Sequence, residues 1–376
     1  MERRSAVSDY LLPEYPCTRD MWDELAEEKR PILIYGMGNG ADKLLSRFEK
    51  YGIKASEVFA SDGFVRGHSY RGFKVKSFSE ICQEYDDFVI VLSFGTNREE
   101  VLDMLADIDC KYDLYAPDMP IANEEEYFDR EFYNAHYSEI LSAYEALSDE
   151  RSKNAFSLLL RYKISGRIKF LDMASDVDDD IYSLFTGLCI GSVIDGGAYN
   201  GDTIREMRDR FPELTKAIAV EPDARNFKKL SKYADGVDDF DIELHCAALW
   251  SSDGMGVISS SANRNSTVTA TASYEHRAEQ TKLVTVDSLA KERVDYIKYD
   301  LEGAEMEALW GSLDTIKKYS PALRIAIYHR SRDIFAIVNY MKEKTSGYDF
   351  YIRRKRCLPA WEIDLIMIPR RTYNDK

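Results

Sequence analysis

Short apolar runs alternate with amphipathic stretches in the first third of the chain. Residues 31–35 and 88–93 are apolar runs of strand length, and residues 41–51 carry apolar positions at helical spacing. Strand, helix and strand in succession are typical of βαβ units, whose crossover helices make the strands parallel. We therefore predict a small α/β domain at residues 31–120, preceded by a polar, partly helical segment at residues 1–30.

A second series of apolar runs of strand length begins after residue 190. Helical segments separate most of these runs, which lie at residues 192–195, 217–221, 242–246, 296–300 and 323–328. Parallel strands joined by crossovers share one carboxyl edge, and open α/β sheets bind their ligands there. We predict a second, larger α/β domain at residues 181–376 with a binding site at that edge.

The chain between the two series loses its strand character. Tyr, Phe, Leu and Ala recur at helical spacing among charged residues from Glu124 to Tyr162, which predicts a helical connector at residues 121–180. The aspartate-rich run at residues 176–180 is expected at a helix N-terminus, where negative charge meets the positive end of the helix dipole. A metal site is the alternative interpretation of this run.

Charge and cysteine usage narrow the classes of partner. The chain has 66 acidic and 50 basic residues and a formal net charge of −16, which repels a phosphate backbone, so we predict no nucleic-acid partner. The six cysteines are scattered without metal-binding spacing and are expected to be reduced thiols. The first residues contain no apolar segment of signal or anchor length, which predicts a cytoplasmic protein without a membrane partner.

Two segments of unusual composition are expected at the surface. The basic run at residues 353–356 is interpreted as a solvated edge or turn, with a site for an anionic substrate group as the alternative. The Ser/Thr-rich stretch at residues 256–273 is expected to be a loop, which either covers an acceptor or is a plain surface loop.

A glycine-rich turn follows the first strand of the second series. It reads Asp195-Gly-Gly-Ala-Tyr-Asn-Gly-Asp-Thr203, so its backbone can approach a ligand closely. Glu221 stands at the end of the next strand, where a carboxylate can accept both hydroxyl protons of a ribose. The pair favours a nucleoside-containing cofactor over simple packing of helix against strand.

These motifs and several later ones together resemble the FkbM-type S-adenosylmethionine (SAM)-dependent methyltransferases. The resemblance covers roughly residues 180–368 and is carried by residues 195–203, Val220-Glu-Pro-Asp223, Val286-Asp-Ser-Leu289 and Lys298-Tyr-Asp-Leu-Glu-Gly-Ala-Glu305, followed by Leu309-Trp-Gly311, Ser320-Pro-Ala-Leu323 and Ile327-Tyr-His329. It implies a Rossmann-like class I SAM methyltransferase sheet in the C-terminal half. It also implies SAM as the cofactor and transfer of a methyl group, most simply to a hydroxyl of a sugar, glycan or related polyol.

The resemblance also implies which residues bind SAM. Asp195, Gly197 and Asn200 would hold its methionine part, Glu221 its ribose, and Ala247 and Ala248 its adenine. The full set of predicted cofactor-binding residues is Asp195, Gly196, Gly197, Ala198, Asn200, Gly201, Thr203, Glu221, Pro222, Ala247 and Ala248.

Three residues are predicted to serve catalysis. His329 follows the fifth strand and could remove the acceptor's hydroxyl proton as a general base. Asp300 and Glu302 follow the fourth strand and could align the acceptor, or could share a divalent cation with His329. We favour the reading without a metal. Glu305 is expected to begin the following helix.

The N-terminal domain offers a weaker nucleotide-binding motif. Its turn contains Gly36, Gly38 and Gly40, and it resembles the Rossmann-like domains of sugar-acetyltransferases and sugar-nucleotide enzymes. A nicotinamide-dependent sugar-nucleotide enzyme and a non-catalytic module that binds SAM or a nucleotide are therefore the alternatives to a methyltransferase. The expected partner is a small-molecule or glycan acceptor, and a homodimer is the assembly that we consider.

Overall fold

The structure is a computed structural model that describes residues 11–65, 67, 69–119, 126–260, 266–269 and 278–370. Its helices are α1 (Met21–Glu27), α2 (Asn39–Tyr51), α3 (Phe78–Glu84), α4 (Glu99–Asp109), α5 (Arg130–Ala135), α6 (Tyr137–Ala146), α7 (Glu150–Ser165), α8 (Lys169–Met173), α9 (Asp178–Ser183), α10 (Asp202–Arg210), α11 (Ala224–Ala234), α12 (Val286–Leu289), α13 (Glu305–Trp310), α14 (Leu313–Tyr319) and α15 (Asp333–Lys344). Its strands are β1 (Ile32–Tyr35), β2 (Ala55–Ala60), β3 (Ser69–Tyr70), β4 (Phe73–Lys74), β5 (Lys76–Ser77), β6 (Val89–Leu92), β7 (Asp113–Tyr115), β8 (Ser192–Gly196), β9 (Lys216–Val220), β10 (Asp241–His245), β11 (Ala247–Leu249), β12 (Gly254–Ser260), β13 (Ser266–Thr269), β14 (Ala278–Val284), β15 (Tyr296–Tyr299), β16 (Ala322–Ala326), β17 (Tyr348–Arg354) and β18 (Ile363–Pro369).

The first sheet is parallel and has the strand order β5-β2-β1-β6-β7. Its central strands β1 and β6 are buried on both faces, which explains why they read as unbroken apolar runs. Helix α2 ends at Gly52, which adopts the left-handed conformation that closes many helices. A single 3-10 turn follows β2 and begins at Asp62.

Helices α5 to α9 connect this sheet to the second one. Asp178, Asp179 and Asp180 lie in the first turn of α9, which confirms that the aspartate run sits at a helix N-terminus. Arg151 of α7 pairs with Asp176 and with Asp180, at 2.9 Å from the latter. The domain boundaries 1–30, 31–120, 121–180 and 181–376 stay a prediction.

The second sheet has the strand order β10-β9-β8-β15-β16-β18-β17. The first five of these are parallel neighbours, and β18 runs antiparallel to both β16 and β17. Successive residues of β8 face different hydrophobic clusters, Val193 packing on one side and Ile194 on the other. Because both of their faces are covered, β8, β9, β15 and β16 lack strict alternation of apolar and polar residues, whereas the edge strand β10 alternates.

The Ser/Thr-rich stretch is not simply a loop, contrary to prediction. Residues 256–260 belong to β12 and residues 266–269 form β13, in a four-stranded sheet of order β11-β14-β12-β13. Residues 261–265 and 270–273 lie outside the described part of the chain. The polar composition of this stretch concealed its preference for strand.

The basic run at residues 353–356 is also not the solvated edge that we predicted. Arg354 is fully buried, and its guanidinium donates to the Leu171 carbonyl at 3.2 Å and to the Ser175 hydroxyl at 2.7 Å. Arg353 is buried too and pairs with Asp149 at 2.7 Å. These contacts with the connector fasten β17 to α7 and α8, so the two buried guanidinium groups are not free for an anionic substrate.

All six cysteines are free thiols, as expected. In the described part of the chain, no helix is long and apolar enough to cross a membrane.

Candidate active site

The glycine turn after β8 passes very close to the turn after β15. Gly197 has φ +76°, and a Cβ added there would lie 1.9 Å from the backbone oxygen of Asp300. A side chain at this position would therefore clash with backbone as well as strain the turn. Gly201 caps α10 with φ +82°, and an added Cβ would meet Tyr233 at 2.6 Å. Gly197 is therefore needed to bring the two turns together, and Gly201 to pack the start of α10 against α11.

Asp195, the last residue but one of β8, is a fully buried carboxylate without a hydrogen-bond partner on either oxygen. The Nζ atom of Lys298 lies 3.8 Å from Oδ1, which is close enough for attraction but not for a hydrogen bond. Burial raises the pKa of Asp195 to about 6, against the lowering effect of Lys298. Buried polar atoms are nearly always paired in proteins, so this carboxylate indicates a site for a donor that the chain itself does not supply.

Glu221 follows β9 at the same edge of the sheet and is buried. Its Oε2 accepts a hydrogen bond from the backbone N–H of Tyr199 and its Oε1 from that of Asp223, both at 2.9 Å. Burial raises the pKa of Glu221 to about 7, although both backbone donors lower it. A carboxylate has about four acceptor positions. One position on each oxygen of Glu221 therefore remains for two further donors.

The other predicted cofactor residues differ in what they can offer. The Asn200 side-chain oxygen accepts from Arg205 at 3.0 Å, so only part of its hydrogen-bonding capacity remains. Ala198 is buried under the turn, and Thr203 lies in the first turn of α10. Ala247 and Ala248 are both buried in hydrophobic clusters and present no open face. Pro222 is partly buried beside Glu221. The roles of these residues stay predictions.

A second polar cluster occupies the ends of β15 and β16. The His329 imidazole is 1% exposed, and its Nε2 lies 3.6 Å from Asp300 Oδ1 and 3.6 Å from Glu302 Oε2. Its Nδ1 lies 2.9 Å from Glu305 Oε1, although Nδ1 makes no aligned hydrogen bond. The structure thus brings together His329, Asp300 and Glu302, the three predicted catalytic residues.

Three carboxylates determine the charge of the imidazole. Burial lowers the pKa of His329, but the charges of Glu305, Asp300 and Glu302 outweigh burial and raise that pKa to about 10. Burial raises the pKa of Glu302 to about 7, and Lys298 and His329 keep the pKa of Asp300 below its usual range despite burial. Glu302 also has a φ of +53°, which is uncommon for a residue with a side chain.

The part of the chain that forms this edge of the sheet matches a known protein family. Residues 195–350 match the family model of the methyltransferase FkbM domain. The chain therefore carries a methyltransferase FkbM domain. The match begins at Asp195 and includes Glu221, Asp300 and His329, so the two polar clusters both lie inside the FkbM domain.

One solved structure confirms the Rossmann-like methyltransferase fold. The methyltransferase FkbM from Methylobacillus flagellatus KT is 15% identical, and the alignment covers 96% of each chain with a TM-score of 0.69. An rRNA methylase from Streptococcus thermophilus is 12% identical over 51% of this chain and 95% of its own, with a TM-score of 0.35. That second likeness is too weak to support an argument. No curated protein matches the sequence.

Three further residues of the FkbM domain contribute to the site. Lys298 links the two clusters, because its Nζ lies 3.3 Å from Asp300 Oδ2 as well as near Asp195. Glu305 begins α13 as predicted, but it also contacts His329 from the buried side. Asp333 is buried nearby, and burial together with the charge of Glu305 raises its pKa to about 8. Sequence spacing signals none of these contacts, although Lys298 and Glu305 bound the most specific motif.

Proposed function

We propose that the chain is a SAM-dependent O-methyltransferase whose acceptor is a hydroxyl of a sugar, glycan or related polyol. The observation that carries the proposal is the unpaired, fully buried carboxylate of Asp195 beside Glu221 at the carboxyl edge of the sheet. An FkbM domain with this fold needs a donor of methyl groups, and SAM fits the two carboxylates. Asp195 can take the amino group, and Glu221 can take one ribose hydroxyl on each oxygen.

The surrounding charge also suits this cofactor. SAM carries a cationic sulfonium, and the site places the carboxylates of Asp195, Asp300 and Glu302 at one edge of the sheet with Lys298 between the first two. Excess negative charge attracts a cation and repels a phosphate-bearing acceptor. A neutral polyol hydroxyl is compatible with this field.

When bound, SAM supplies an electrophilic methyl group, and the chain's residues align the acceptor and remove its proton. Glu302 is the carboxylate that we assign to the proton, because its side chain is 38% exposed whereas that of His329 is 1% exposed. Asp300, 36% exposed, accepts a hydrogen bond from the acceptor and aligns its oxygen. His329 then acts as a positioning residue behind these two carboxylates. Its predicted role as the base itself stays a prediction.

Calorimetry tests the cofactor first. We expect the full chain to bind SAM and S-adenosylhomocysteine but not NAD, and Asp195→Asn to weaken SAM binding. Asp209→Asn, which removes an exposed carboxylate of α10, is the matched control. Binding of NAD without SAM, or unchanged SAM affinity in a folded Asp195→Asn variant, would refute the proposal.

The acceptor is tested by incubating the chain and SAM with a panel of sugars, glycans and polyols. Formation of S-adenosylhomocysteine together with a methyl ether in the acceptor supports O-methylation. Methyl transfer to nitrogen or carbon acceptors alone would contradict the assignment to a hydroxyl.

A further inference from the structure

The cluster around His329 holds more negative charge than its own cations balance. Asp300, Glu302 and Glu305 all contact the imidazole within 3.6 Å. Lys298 is the nearest other cation that contacts this group in the described part of the chain, and it is shared with Asp195. Buried carboxylates are costly unless they are paired or coordinate a metal.

Two atoms of this cluster are buried without a hydrogen-bond partner. Glu305 Oε2 has none, whereas Oε1 of the same carboxylate accepts from the Leu301 N–H at 2.7 Å. His329 Nδ1 also has none, in spite of its 2.9 Å separation from Glu305 Oε1. Because Glu305 and His329 are both 1% exposed, water from the surface does not satisfy these atoms freely.

The distances between His329 and the neighbouring carboxylate oxygens suit ligands of one shared ion better than they suit hydrogen bonds. The 3.6 Å between His329 Nε2 and Asp300 Oδ1 is too long for a hydrogen bond. Two ligand atoms that each lie about 2.1 Å from an ion are about 3.0 Å apart when adjacent and about 4.2 Å apart when opposite. Of the residues that the structure describes, Asp300, Glu305 and His329 form the group whose ligand atoms all lie within 4.8 Å of one another.

We propose that Asp300, Glu305 and His329 bind one divalent cation. An imidazole binds a metal only when it is deprotonated, so the cation would displace the proton that the three carboxylates otherwise hold on His329. One imidazole and two carboxylates suit Mn²⁺, Fe²⁺ or Zn²⁺ better than Ca²⁺ or Mg²⁺, which prefer oxygen ligands alone. Glu302 lies outside this group of ligand atoms and stays available to the acceptor. This changes our sequence-based expectation, which favoured no metal.

The chemical role of the cation rests on the proposed function, but its binding does not. A divalent cation lowers the pKa of a hydroxyl or water bound to it. With Asp300 as its ligand, the cation would take over from Asp300 the alignment of the acceptor oxygen, and beside Glu302 it would make the acceptor hydroxyl easier to deprotonate. Cation binding can be measured without SAM and without an acceptor.

The full chain is first dialysed against EDTA to remove bound metal. It is then titrated with Mn²⁺ or Zn²⁺ alone in a calorimeter, and Mn²⁺ binding is also followed by electron paramagnetic resonance. We expect one cation per chain. His329→Gln and Asp300→Asn should each weaken binding by more than about tenfold. Glu302→Gln and the surface control Asp209→Asn should change it much less.

Several outcomes would overturn the inference: no cation bound by the wild-type chain, unchanged affinity in both His329→Gln and Asp300→Asn, or a loss in Glu302→Gln as large as that in His329→Gln. Asp300 is partly exposed, so Asp300→Asn keeps the test sharp if the buried His329 variant fails to fold. SAM titrations of the same variants separate the two proposals. Cation binding without SAM binding would refute only the proposed function, and SAM binding without cation binding would refute only this inference.

Discussion

Replacing Glu221 by glutamine should weaken SAM while sparing the fold. Each Glu221 oxygen already accepts one backbone hydrogen bond, so a Gln side chain must present its NH₂ group to one of these donors or to one ribose hydroxyl. A hydrogen bond to a charged group contributes about 1.5–3 kcal/mol and a neutral one about 0.5–1.5 kcal/mol. We therefore expect a loss of about 1–3 kcal/mol in SAM binding.

Above neutral pH, Glu221→Gln should stabilise the fold although it weakens SAM binding. Burial raises the pKa of Glu221 from 4.5 to about 7, so the folded state holds its proton more tightly than the unfolded state does. The folded protein accordingly loses stability as pH rises from about 4.5 to about 7, by about 3 kcal/mol at most. Gln carries no charge and escapes this cost. At pH 8, Glu221→Gln should unfold at the same temperature as the wild type or at a higher one.

The assay is SAM calorimetry between pH 5.5 and pH 8.5, paired with thermal unfolding. Because ribose hydroxyls need the ionised carboxylate as acceptor, wild-type affinity should rise as pH approaches about 7 and then level off. The variant should show a weaker and flatter profile. Glu221→Ala is less informative, since it leaves the N–H groups of Tyr199 and Asp223 without an acceptor. Unchanged SAM affinity in the folded Gln variant, or the same pH profile in both proteins, would refute the reasoning.

Three other predictions follow from the packing around the site. Gly197→Ala should lower the free energy of unfolding by more than about 3 kcal/mol, because φ is positive there and the added Cβ would lie 1.9 Å from the backbone oxygen of Asp300. Thermal unfolding measures this loss. Gly254→Ala is the control and should be nearly neutral, because a Cβ added at Gly254 meets nothing within 4 Å. A fragment of residues 165–376 should be poorly soluble, because it lacks the Ser152 hydroxyl that accepts a hydrogen bond from the Ile352 N–H at 3.0 Å. The longer fragment of residues 126–376 keeps this contact and should bind SAM. A soluble fragment of residues 165–376 with full SAM affinity would contradict this. Once an acceptor is found, Glu302→Gln should lower turnover by ~100- to 10,000-fold with SAM affinity nearly unchanged, and full turnover would remove Glu302 from the mechanism.

Much of the fold was predictable because its signals are local. The apolar runs of β1, β6, β8 and β9 are strands buried on both faces, so each can be recognised from its own sequence without knowledge of the strands beside it. The β12 and β13 strands were missed because their residues are mostly polar or small, and their pairing with β14 and with each other is decided across the chain. The basic run was misread for a related reason, since only the position of α7 and α8 buries Arg353 and Arg354.

The sequence alone determined which side chains stand at the carboxyl ends of strands. Asp195, Glu221 and Asp300 follow apolar runs directly, and crossover connections put all such ends at one edge of the sheet. The tertiary structure decided which of them meet. Strands β8, β15 and β16 are neighbours, and this order sets Lys298 between Asp195 and Asp300 and packs Glu305 against His329. Strand order depends on contacts between residues far apart in the chain, which local periodicity does not encode.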